Sequence, residues 1–102
     1  MATLLLDDEG VKPDGSRYEL IAWAVPDSDE YPDGVKYSFQ YMTADGDTLL
    51  RYDNAPHHRD DVGHHHCHTA DGRIKPVEYP GLTSLRDRFE REVQQIHDER
   101  TD

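Results

Sequence analysis

Two alternating runs joined by an Asp-Gly pair restrict the fold of this chain more than any other feature. Val35, Tyr37, Phe39 and Tyr41 alternate with Lys36, Ser38 and Gln40, the period of a half-buried antiparallel strand. Ala44-Asp45-Gly46-Asp47 follows, and Asp-Gly between two such runs signals a hairpin, so Thr48 to Asp53 is the returning strand. A second hairpin is expected at Asp71-Gly72, between His64–Thr69 and Arg73–Val77, with Pro76 and Pro80 keeping the last run at an edge. Upstream, Arg17 to Val25 is rich in β-branched and aromatic residues and apolar on both faces, which suggests a central strand. Leu4 to Leu6 reads as a short first strand ended by an Asp8-Glu9-Gly10 turn, and residues 11–16 have turn chemistry.

The period then changes. Leu85, Phe89, Val93 and Ile96 follow helical spacing, with Thr83 or Ser84 available as a cap, so an amphipathic helix over 84–98 should lay its stripe on the sheet. The fold class is therefore α+β: a small antiparallel sheet of four to five strands with one C-terminal helix packed on it. A chain of 102 residues is one domain, 1–102, in which this pattern leaves 1–16 free to be loosely ordered.

With 34% apolar residues and a mean hydropathy of -0.96, the core must be thin and lean on its aromatic rings. Trp23 and Phe39 are assigned to it. Twenty-two acidic against eleven basic residues leave a net charge of -11, spread over the whole chain, which repels nucleic acid unless a local patch differs. A solvated coat adapted to a salty cytoplasm explains that spread, a halophilic character. No apolar run is long enough to span a bilayer, Met1 to Leu6 is too short for a signal peptide, and a lone Cys67 makes no intrachain disulfide. A cytoplasmic protein without a membrane partner is expected.

The returning strand runs into a segment that composition does not account for. Residues 49–68, LLRYDNAPHHRDDVGHHHCH, hold six of the seven histidines and the one cysteine. If His64 to His68 is extended, then His64, His66 and His68 share one face about 7 Å apart, and His65 and Cys67 point to the other. Three readings follow. The first is a zinc or nickel site, built by His64, His66 and His68 with His58, His57 or Asp53 completing the set. The second is acid-base catalysis with no cofactor, in which two imidazoles of near-neutral pKa act on opposite sides of one phosphate, with Arg51, Arg59 and Lys75 as the cations. The third is structural, with Asp53 and Asn54 merely ending a strand and the imidazoles donating to carbonyls, as in a non-enzymatic interaction protein. His97, alone on the helix, is a solvated or helix-end residue, and Cys67 an ordinary partly buried thiol.

Tyr37-Ser38, Ala44-Asp45-Gly46, the run Leu50 to His58 (LRYDNAPHH), His65-His66-Cys67-His68, Pro76 and Ser84-Leu85 together resemble the TumE-like toxins of bacterial and archaeal toxin-antitoxin systems, over about residues 35–97. The resemblance implies a type II toxin with ribonuclease activity, an RNA substrate and a helix-turn-helix antitoxin as partner. Its motif falls on Arg51, Asp53, Asn54, His57, His58, His65, His66 and His68. The family's H-H-x-H is commonly preceded by Phe-Pro and often has Lys at x; Gly63-His64 and Cys67 stand there instead, so Arg59 or Lys75 would have to supply that charge. The expected catalytic set is His57, His58, His65, His66, His68 and Asp53. In it His57 or His58 is the base, His66 or His68 the acid, and Asp53 orients an imidazole. Arg51, Asn54, Arg59 and Lys75 would bind substrate.

Overall fold

The computed structural model describes residues 3–29, 31–54 and 65–101. Six strands, β1 (Thr3–Val11), β2 (Arg17–Ala24), β3 (Val35–Met42), β4 (Thr48–Asp53), β5 (His66–Thr69) and β6 (Ile74–Pro76), form one sheet in sequence order. Every neighbouring pair is antiparallel. Among the described residues one helix, α1 (Leu82–Thr101), completes the α+β fold. The sheet has six strands where four or five were expected, because both end segments join the ladder.

The β1 ladder corrects the sequence reading of the N-terminal segment. Asp8, Glu9 and Gly10 make no turn; they pair with Leu20, Glu19 and Tyr18. Gly10 is needed for a different reason, since a Cβ there would overlap the Tyr18 ring that crosses it. The true hairpin turns share one design. In Pro13-Asp14-Gly15, Ala44-Asp45-Gly46 and Ala70-Asp71-Gly72, the glycine N–H donates to the carbonyl of Lys12, Thr43 and Thr69 at 2.9, 2.9 and 3.0 Å. Each glycine sits at positive φ (87°, 95° and 85°), the left-handed position that closes a type I turn and bulge, where a side chain would be strained. An antiparallel meander puts these three turns at one end of the sheet. The connections 25–34 and 77–81, and the end of β4, lie at the other.

Register assigns the faces. Leu20, Phe39, Tyr52 and Cys67 form one row across the sheet, and Ala22 and Tyr37 lie beside it. That face meets Leu85, Phe89 and Val93 of α1, all buried. Phe89 is wedged edge-on against Phe39 and Tyr52, with ring centroids 5.5 and 5.0 Å away. The Tyr52 hydroxyl donates to Glu92, which also accepts from Arg88 Nε at 3.2 Å, so the one phenol crossing the interface is satisfied. The helix begins two residues before the expected Ser84 start, because the Gly81 carbonyl accepts the first turn's Leu85 N–H at 3.0 Å and makes Gly81 the cap. Trp23 is not core: it lies opposite Leu4 and Lys36 on the face away from α1, half-buried, and Ile21 beside it is exposed. Among the described residues, α1 therefore covers β2 on one face only.

Candidate functional site

The face turned away from the helix carries two further rows. Gln40, Arg51, His68 and Ile74 lie across from one another, and beside them Ser38, Asp53, His66 and Pro76. Strand alternation thus brings two residues of β4 and two of β5 to one patch. Asp53 is its centre. Its Oδ1 lies 3.2 Å from His66 Nδ1, and its Oδ2 lies 3.0 Å from Arg51 Nε and 3.3 Å from His68 Nε2. A carboxylate only 3% exposed has here three partners able to balance its charge.

Burial separates the roles open to these groups. His66 is sealed (0% exposed), whereas the side chains of His68 and Arg51 are 22% and 41% exposed. His68 and Arg51 can meet a ligand from solvent. His66 instead fixes Asp53 from beneath, as a second layer fixes a reactive one.

His65 stands apart, as alternation requires. Its Nδ1 is 2.9 Å from the Tyr37 hydroxyl and its Nε2 is 2.7 Å from Asp33 Oδ2. Its ring stacks on Tyr79 at 4.5 Å and 4°, with Tyr37 5.7 Å away and nearly parallel. Burial, reinforced by the negative charge of Asp53, pushes the Tyr37 phenol far above its ordinary pKa, so it stays protonated. A phenol that keeps its proton can donate to Nδ1, which leaves Nε2 to carry the hydrogen that bonds Asp33. Of the three described members of H-H-x-H, then, His66 and His68 converge on Asp53, and His65 belongs to a Tyr37–His65–Asp33 relay at the loop end of the sheet.

The other expected site residues divide in the same way. Asn54 is buried and both ends of its amide are engaged by β3: Oδ1 accepts the Tyr37 N–H at 3.1 Å and Nδ2 donates to the Val35 carbonyl at 2.6 Å. It clamps the end of β4 and does not line the patch. Lys75 lies opposite Cys67, on the helix side of the sheet, so it cannot supply the missing charge beside Arg51. His57, His58, Arg59 and His64 lie outside the described residues, and with them three of the six metal ligands considered. Among the described residues, no group of three His, Cys, Asp or Glu side chains is arranged to hold a metal ion. Cys67 faces the core; burial, with Glu92 nearby, lifts its thiol to about 11. Both effects disfavour a thiolate at neutral pH. Tyr37, Asp33 and Tyr79 escaped the sequence reading because each looked like part of a strand or a turn. Only the spatial meeting of three segments makes them a group.

Fold and patch together define a small α+β protein whose polar residues gather on the sheet face its only described helix leaves open. The chain belongs to the toxin TumE family, whose model matches residues 2–97. The match reaches well upstream of residue 35, so the N-terminal strands belong to the family's fold as well. Membership makes the chain a toxin of a toxin-antitoxin system and implies an antitoxin partner. No curated protein and no solved structure matches the chain. Among the described residues, no helix is long and apolar enough to cross a membrane.

Proposed function

We propose that this toxin is a ribonuclease whose reacting groups gather around Asp53. The observation that carries the reading is the convergence of Arg51, His66 and His68 on that one buried carboxylate. A partly exposed imidazole held by a carboxylate is poised for proton transfer, and a guanidinium beside it suits a phosphate. His68 is the general acid and Arg51 the phosphate contact; Asp53, set by His66, is a positioning residue.

The reaction needs no other cofactor in this reading. A base removes the proton of a ribose 2'-hydroxyl as its oxygen bonds to phosphorus. The bond from phosphorus to the 5'-oxygen breaks, and His68 protonates that oxygen, leaving a 2',3'-cyclic phosphate and a 5'-hydroxyl. His57 or His58 serves as the base, with Arg59 as a second cation. The antitoxin is a helix-turn-helix protein that covers the patch, and the pair works in a salt-rich cytoplasm to which the acidic surface is adapted.

The test is the His58→Ala, His68→Ala double variant, induced in cells and checked for folding by circular dichroism. Growth arrest and RNA breakdown should both disappear. A folded double variant that still arrests growth and still cuts RNA overturns the assignment.

A further inference from the structure

A groove opens directly beside the Asp53 patch and runs toward the end of the sheet where the Asp45-Gly46 and Asp71-Gly72 turns lie. It measures about 650 Å³ and is lined by Arg51, His68, Thr43, Thr48, Asp47 and, from the last turn of α1, Arg100, among others. That size falls within the range of clefts that hold small ligands, roughly 300 to 1,000 Å³, and is room enough for a nucleotide unit. We infer that this groove holds the phosphodiester backbone of a single-stranded RNA, with Arg100 as a phosphate-binding residue. The inference takes its substrate class from the ribonuclease reading and adds the path of the strand.

Charge is the first argument. The chain carries two acidic residues for every basic one, 22 against 11, yet the groove's lining reverses that ratio, with two guanidiniums and an imidazole against the one carboxylate of Asp47; behind the lining Asp53 pairs with Arg51 and His68, and Asp14 acts on Arg100. On a surface this acidic, such an inversion marks where a polyanion can approach, because elsewhere like charge repels it. Continuity is the second argument. Arg51 and His68 belong both to the groove and to the Asp53 patch, so a strand lying in the groove passes the reacting groups without a break.

Hydroxyls extend the complementarity. Thr43 Oγ1 accepts the Asp47 N–H at 3.0 Å, and a hydroxyl that accepts one bond keeps its own hydrogen to donate to a phosphate oxygen. Asp47 sits on an exposed turn at the lip. Arg100 has a competing explanation, since a cation in the last turn also offsets the helix dipole. That role affects helix stability alone and leaves RNA affinity unchanged, which makes the two separable.

The experiment measures binding of the full chain to a fluorescent 2'-O-methyl oligoribonucleotide by anisotropy over a range of salt. This probe lacks the attacking hydroxyl, so affinity is scored whether or not the chain cuts RNA. Arg100→Gln should weaken binding several-fold and lower the salt slope by about 0.7, the loss of one phosphate contact on a single strand. Arg91→Gln, the same charge change on an exposed turn of α1 outside the groove, should leave both unchanged, and Arg100→Lys should recover most of the affinity. Equal effects of Arg100→Gln and Arg91→Gln overturn the inference, as does a wild-type chain that fails to bind the probe. An Arg100→Gln variant that loses only its antitoxin also overturns it, and assigns the groove to an acidic protein segment. Tight Arg100-dependent binding by a chain that never cleaves unmodified RNA leaves the groove standing and removes the ribonuclease.

Discussion

The hydroxyl of Tyr37 stands 2.9 Å from Nδ1 of His65, and the same imidazole reaches Asp33 through Nε2 at 2.7 Å. This relay ties the Pro32-Asp33-Gly34 turn to the entrance of β5, across the loop end of the sheet. Tyr37→Phe removes the hydroxyl at one end of the relay and should cost about 1 kcal/mol in urea unfolding at pH 7, the net worth of one such bond. The raised phenol also sets a pH dependence. A group whose pKa is higher in the folded state stabilises fully below its ordinary value, near 10 for Tyr, and loses that contribution as pH rises above it. The unfolding midpoint should therefore fall above about pH 10, and fall less steeply in Tyr37→Phe.

Asp53→Asn keeps the shape of the central side chain and removes its charge. Arg51 then loses its counter-ion, and the imidazoles of His66 and His68, both largely sheltered, lose the carboxylate they share. A loss of about 3 kcal/mol is expected, the scale for breaking a buried pair from one side. Urea denaturation at pH 7 measures it; a variant as stable as the parent would show that the carboxylate is not the organising charge.

Cys67 should behave as an inert thiol. With its pKa lifted to about 11, it has almost no thiolate at pH 8, and its side chain is packed against the helix. Alkylation by iodoacetamide at pH 8 should be slow in the folded chain and fast in denaturant. The sign is the same as for Tyr37: any stability from the neutral thiol is present below about pH 9 and lost on the way to 11.

Phe89→Ala empties the space between Phe39 and Tyr52 that joins helix to sheet. Loss of a buried ring costs roughly 3 to 5 kcal/mol, against a typical domain stability of about 5 to 15. The variant should show a strongly lowered melting temperature by circular dichroism. It tests whether one residue holds the two layers together.

The hairpins were legible because Asp45-Gly46 and Asp71-Gly72 state their turn conformation locally, and the helix because Leu85, Phe89 and Val93 repeat at helical spacing. The pairing of His66 and His68 on one strand face also followed from period alone. Other features depend on partners distant in sequence. Gly10 looked like a turn because nothing nearby reveals that the Tyr18 ring crosses it. Trp23 looked like core because hydrophobicity does not tell which sheet face α1 covers. Asn54 and Lys75 looked like substrate contacts, yet the backbone of β3 claims the first and register turns the second away. Arg100 gave no signal, since a basic residue in a last helical turn is ordinary.

Each strand of this sheet pairs only with its immediate sequence neighbours, and the helix that covers it comes after all of them. During synthesis the ladder can therefore be laid down hairpin by hairpin as the chain leaves the ribosome. The side of it bearing Phe39, Tyr52 and Cys67 stays bare until Leu85, Phe89 and Val93 emerge. Translation that stalls short of Leu82 leaves a nearly finished sheet with an oily side, a substrate for chaperones and proteases.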